Sequence, residues 1–217
     1  MFKAAIFGST GLIGSNILKE LEDDKYFSKV NVITRKPVQL KDSKFQNIVI
    51  DFNDINTIKN SLNNCDIVFV SIGTTQSKVN WDLEKYKKID YEIPLNIASL
   101  AKSLNINKYL IVSSTGADIN AKGFYLSLKG KIENDIIKIG IKNTYIFRPS
   151  LLMGNRKEKR IGEKIAQYIM PSFSFFLPSN YKPINAKDVA KSMVRLSKTT
   201  INTTRIYHFK DIISSIK

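Results

Sequence analysis

The stretch Ala4-Ala5-Ile6-Phe7-Gly8-Ser9-Thr10-Gly11-Leu12-Ile13-Gly14 decides the fold. Four apolar residues read as a strand buried on both faces, and Leu12 onward carries the apolar period of a helix. Between them lies a glycine turn, and each glycine has a physical task. Gly8 permits the sharp reversal, Gly11 lets backbone approach a pyrophosphate, and Gly14 lets the helix pack close to the strand. Ser9, Thr10, Leu12 and Ile13 complete the loop and the first helical turn, whose unpaired N–H groups and partial positive charge suit phosphate. Three of the ten glycines fall within these first 14 residues.

Outward from this turn, short β-branched runs alternate with helix-period segments. Strands are expected at Lys3–Phe7, Val30–Thr34, Asn47–Ile50, Asp66–Ser71, Lys108–Ser113, Thr144–Phe147 and Arg205–Phe209. Helices are expected near Leu12–Leu21, Asp54–Leu62, Asp82–Leu104, Phe124–Ile139, Lys157–Ile169 and Ala186–Ser197, with Pro94 bending or splitting the third. Such alternation builds βαβ units, hence a Rossmann-like, doubly wound α/β fold: a parallel sheet with helices on both faces. No repeat or Gly/Ser linker marks a boundary, so residues 1–217 read as a single NAD(P)-binding domain. Residues 150–185 depart from the alternation, with Pro171, Pro178, Pro183 and the aromatic run Phe173-Ser174-Phe175-Phe176. That segment reads either as a cover over the sheet edge or as a wall of a substrate pocket.

Composition excludes several function classes. One cysteine, Cys65, and one histidine, His208, exclude a disulfide scaffold and Cys- or His-rich metal sites. Both residues read as structural. The net charge of +15 raises a polyanion partner, yet 28 of the 34 basic residues are scattered lysines. With 31 Ile and 19 Asn, the composition matches A/T-rich codon usage, so no nucleic-acid partner is expected. No apolar run is long enough to span a bilayer, and the first residues lack a signal-peptide pattern. The expected compartment is the cytoplasm, with no membrane partner; a homo-oligomer is left open.

Cofactor choice is read after the second strand. An acid there would bond the ribose hydroxyls of NAD, whereas this chain has Arg35-Lys36. A guanidinium grips a 2′-phosphate bidentately, so NADP(H) is preferred over NAD(H). Asp51-Phe52 follows the third strand, where it either contacts adenine or caps the next helix.

Tyr125-Leu126-Ser127-Leu128-Lys129 places a phenol and an ammonium on one helical face, where the lysine favours the ionised phenol. Upstream, Ser113-Ser114 closes a strand at the sheet edge that holds ligands in open parallel sheets. Trp81 reads as core or as pocket wall with equal ease.

The segments GSTGLIG, SIGTTQ, VSSTGAD, YLSLK and FRPS, in that order, resemble the short-chain dehydrogenase/reductase superfamily. The chain looks most like its atypical branch, the Tat-interacting oxidoreductase family, and the late PINAKDVAK segment extends the resemblance over essentially the whole length. The resemblance implies a small carbonyl or alcohol substrate. It assigns Tyr125 as acid/base, Lys129 as its partner and Ser114 (with Ser113 as the alternative) as the group orienting a carbonyl. It also implies that Ile72-Gly73-Thr74-Thr75 lines the ribose and nicotinamide, and that Arg148-Pro149-Ser150 forms the turn beside the nicotinamide, with serine where the family has glycine. By position Asp90 replaces an asparagine that holds a relay water in many members. An ionised aspartate accepts but cannot donate, so an altered relay is expected. An NADP(H)-sensing regulatory protein that binds a protein partner is the alternative to an enzyme.

Overall fold

The computed structural model describes residues 1–154 and 181–217. Seven parallel strands form the central sheet: β1 (Phe2–Phe7), β2 (Phe27–Thr34), β3 (Phe45–Val49), β4 (Ile67–Val70), β5 (Lys108–Val112), β6 (Asn143–Phe147) and β9 (Thr204–Tyr207). A separate parallel pair joins β7 (Leu152–Met153) to β8 (Ile184–Asn185). The described helices are α1 (Leu12–Glu22), α2 (Ile55–Ser61), α3 (Leu83–Lys87), α4 (Ile93–Ser103), α5 (Phe124–Ile139), α6 (Ala186–Ser197) and α7 (Phe209–Ser215). The sheet order is β3-β2-β1-β4-β5-β6-β9, so winding reverses between β1 and β4. Ligands of open α/β sheets bind in the crevice at such a reversal.

Alternation along the strands splits the core between two faces. Ala4, Ile6, Val30, Val32, Ile67, Phe69 and Leu110 face one cluster, which α1, α6 and α7 close with Ile17, Leu21, Val189, Met193 and Ile212. Ala5, Phe7, Ile33, Val68, Val70, Tyr109 and Ile111 face the other, closed by Ile58, Ile97, Ile132 and Ile136 from α2, α4 and α5. Sheet residues apolar on both sides can be satisfied only by helices on both faces, which is the layered fold expected from the sequence.

The differences are local. The helix expected over Asp82–Leu104, with Pro94 bending or splitting it, is split into α3, a π-turn over Lys88–Glu92, and α4. Pro94 has no N–H to give, and Ile93 N–H reaches back to the Lys88 carbonyl across the widened turn. The last strand ends at Tyr207, and the chain turns at His208 into α7, which the aromatic run Tyr207-His208-Phe209 concealed. Asp211 Oδ2 secures that start by accepting from His208 N at 3.0 Å. Trp81 is not core: it is 69% exposed and has φ +63°, following Asn80 at +52°. The expected helix at Lys157–Ile169 and the Phe173–Phe176 run lie outside the described residues.

Candidate functional site

The glycine turn joins β1 to α1 at the carboxyl edge of the sheet. Gly8 has φ +88°, and a Cβ there would lie 2.6 Å from the Ser71 carbonyl carbon. A Cβ on Gly14 would lie 2.1 Å from the Gly8 carbonyl oxygen, so α1 starts where only glycine fits. Across the crevice, Ser71 N donates to the Phe7 carbonyl at 2.9 Å, and Ser71 Oγ donates to the Phe7 and Gly8 carbonyls at 3.2 and 3.3 Å. This welds the end of β4 to the turn. Ser9 Oγ is buried with no hydrogen-bond partner among the described residues. Buried hydroxyls are rarely left so, and this one borders a cradle of helix N–H groups. The cradle fits a phosphate, and hence the dinucleotide that the turn implies.

The remaining cofactor candidates line the same edge. Arg35 and Lys36 are exposed immediately after β2, and neither is ion-paired with another described residue. Their loop is braced beneath: Thr34 Oγ1 donates to the Lys36 carbonyl at 2.8 Å, and Asn47 Nδ2 donates to Thr34 Oγ1 at 2.8 Å. Asp51 Oδ1 accepts from Asn53 N at 2.9 Å, while the cap of α2 is Asp54, so the capping role falls three residues later. Phe52 meets Phe7 edge-on at 6.2 Å. Ile72, Gly73, Thr74 and Thr75 follow β4.

On α5, Lys129 is 6% exposed and Tyr125 41%. The Lys129 Nζ lies 5.9 Å from the Tyr125 ring centroid, and Tyr86 from α3 meets that ring edge-on at 6.5 Å. Gly130 lets α5 approach the loop after β5 closely, since a Cβ there would lie 2.2 Å from the Asp118 carbonyl carbon. Asp90, 2% exposed in the π-turn, pairs with Lys129 through Oδ1 at 2.9 Å and accepts from Thr74 N through Oδ2 at 2.7 Å. Burial opposes charge on Lys129, but the Asp90 carboxylate overrides it with help from Tyr125 and Glu133. The ammonium is therefore held above the ordinary lysine range.

Behind this pair lies an acid that the sequence reading missed. Glu133 is buried and accepts from Ser113 Oγ, from Arg148 Nε at 3.0 Å and from Arg148 Nη2 at 2.5 Å. The signal was present, because Tyr125, Lys129 and Glu133 recur every fourth residue along one face of α5. Two expected site residues thus spend their polar groups inward: Ser113 on Glu133, and Arg148 on the same carboxylate. Ser114 is half-buried, and its hydroxyl makes a local 3.2 Å bond to the Thr115 carbonyl. Thr115 ties this loop to the turn after β6, donating from N to the Pro149 carbonyl and from Oγ1 to the Arg148 carbonyl, both at 2.9 Å. Pro149 is buried, and Ser150 Oγ donates to the Lys182 carbonyl.

A doubly wound sheet with a phosphate cradle at its switch point defines a dinucleotide-binding protein. The chain belongs to the family described as NAD(P)H-binding, whose model matches residues 8–199. Its relatives include Protein FMP52, mitochondrial, of Candida albicans, 34% identical over 203 residues that cover 91% of this chain and 88% of that protein. Protein HTATIP2 of Rattus norvegicus is 30% identical over 179 residues, covering 81% of this chain and 73% of that one. Among solved structures, the UDP-glucose 4-epimerase of Thermus thermophilus in complex with NAD superposes with TM-score 0.70 at 14% identity, over 99% of this chain and 82% of the other. The resemblance to the short-chain dehydrogenase/reductase superfamily is thereby borne out. The cytoplasmic expectation is overturned, because several fungal relatives are named as mitochondrial proteins. A leader is read from a local charge and apolar pattern, and the absence of a secretory pattern says nothing about other targeting. No described helix is long and apolar enough to cross a membrane.

Proposed function

We propose that this chain is an NADP(H)-dependent oxidoreductase that interconverts a small carbonyl compound and its alcohol, with Tyr125 as acid/base. The observation that carries the reading is the Tyr125–Lys129 pair, with Lys129 buried and charged beside a phenol that is open to the edge. When bound, the cofactor supplies or accepts the hydride. The Gly8–Gly14 turn holds its pyrophosphate, and Arg35 with Lys36 meets a 2′-phosphate. Ser114 orients the substrate carbonyl, since Ser113 is engaged by Glu133. Tyr125 gives its proton to the carbonyl oxygen in reduction and takes it back in oxidation, and the Lys129 ammonium stabilises the phenolate between the two. The names of the fungal relatives support a mitochondrial site of action.

The test is a panel of aldehydes and ketones with NADPH, followed by loss of nicotinamide absorbance. Tyr125→Phe is expected to keep cofactor affinity and to lower turnover by about 10²–10⁴-fold. Undiminished turnover in that variant would remove Tyr125 from the mechanism.

A further inference from the structure

Asp90 stands where its chemistry is unusual for its surroundings. A carboxylate 2% exposed carries a heavy desolvation penalty unless each oxygen is partnered. Here both oxygens are partnered, and the partners come from two different elements. Oδ1 faces Lys129 on α5, and Oδ2 faces the backbone N–H of Thr74 in the loop after β4. The backbone at Gly73 also passes close, for a Cβ there would lie 3.6 Å from Oδ1. Asp90 itself sits in the π-turn that precedes Pro94, a widened turn that carries it to the buried face.

Among the described residues the other acid acting on Lys129 is Glu133, and it is already bound by Arg148 from the end of β6 and by Ser113 from the end of β5. The phenol of Tyr125 is the third group that acts on the ammonium. Asp90 is therefore the carboxylate that faces Lys129 directly.

We propose that Asp90 is a positioning residue: one carboxylate that locks the Lys129 ammonium to the Thr74 loop, so that the acid/base helix and the cofactor-lining loop are held as one unit. The inference deepens the oxidoreductase reading and rests on it for the role of Lys129. A direct ion pair takes the place of the relay expected at this position, because an ionised aspartate at 2.9 Å accepts the lysine proton's hydrogen bond itself. Binding of the dinucleotide along residues 72–75 is then coupled to the placement of Lys129.

The experiment is NMR of protein labelled in its lysine side chains, with the Lys129 Nζ signal assigned by Lys129→Arg and followed through an alkaline titration. NADPH affinity is measured alongside by fluorescence. Asp90→Asn keeps an acceptor for Thr74 N but removes the charge. It is expected to lower the pH at which Lys129 loses its proton and to weaken NADPH binding by roughly tenfold. A Lys129 titration and a cofactor affinity both unchanged in Asp90→Asn would overturn the proposal. Should that variant not fold, the unaltered protein decides: a Lys129 that loses its proton below the ordinary lysine range refutes it. Tyr125→Phe serves as the control that separates the two ideas. Failure of Tyr125 as the acid would appear in turnover and leave the effects of Asp90→Asn standing.

Discussion

Glu133 grips Arg148 on two sides of its guanidinium, Nη2 to Oε2 at 2.5 Å and Nε to Oε1 at 3.0 Å, with the two side chains 4% and 19% exposed. The fork geometry ties α5 to the end of β6, while Ser113 ties the same carboxylate to the end of β5. Glu133→Ala should destabilise the protein by about 3–5 kcal/mol, because it leaves a half-buried guanidinium uncompensated. Urea unfolding measures this. Glu133→Ala combined with Arg148→Met should recover most of the loss; additive losses would show that the pair is not coupled.

The glycine turn makes a graded prediction. A Cβ at position 14 would overlap the Gly8 carbonyl oxygen at 2.1 Å, whereas one at position 11 would meet it at 3.2 Å. Gly14→Ala should therefore cost about 1–3 kcal/mol through the shift it forces, and should weaken NADPH binding by more than about tenfold through the displaced helix start. Gly11→Ala should be milder in thermal stability. Equal effects at the two positions would show that overlap is not what sets them.

Cofactor choice is tested at Arg35. The side chain is exposed on a braced loop and has no described carboxylate to occupy it. Arg35→Glu should weaken NADPH binding by about tenfold or more while leaving NADH binding level or tighter. Titrating both cofactors against both proteins checks this. Tighter NADH than NADPH binding in the unaltered protein would refute the preference.

Alkaline stability follows from Lys129. Burial alone would lower its pKa, but Asp90 raises it above the ordinary 10.5, so the folded state binds the proton more tightly than the unfolded chain. The stabilising contribution is complete below that ordinary value and declines as the pH rises through the higher folded one. Melting temperature should therefore fall on the far alkaline side more steeply in the unaltered protein than in Lys129→Met.

Cys65 should be chemically quiet. Burial pushes its thiol up to about 11, with Lys3 and Lys29 opposing and Asp66 assisting. Alkylation at neutral pH should run about 100-fold more slowly than in the unfolded chain, in proportion to the lost thiolate. A fast native reaction would place the thiol nearer to solvent than its 7% exposure implies.

The layered fold was legible because its signals are local. A strand apolar on both faces, three glycines at fixed offsets and a helical period each follow from steric and solvation rules acting within a few residues. The same holds for the Tyr125–Lys129 face of α5, since helical spacing alone brings those two together. Local signals misled where an aromatic run could serve strand or helix start, as at Tyr207–Phe209; the split at Pro94 was legible, but not the widened turn that makes it.

Charge pairing was not legible in that way. Asp90 reaches Lys129 and Thr74, and Glu133 reaches Arg148 and Ser113, each from one element of the fold to another. Which carboxylate meets which cation depends on how α5 packs against two strand ends and on how the π-turn rotates Asp90 inward. Those are outcomes of burial summed over the whole sheet. The chain order settles which residues line the carboxyl edge; only the packed fold settles that Asp90, rather than Glu133, faces the lysine beneath the open phenol.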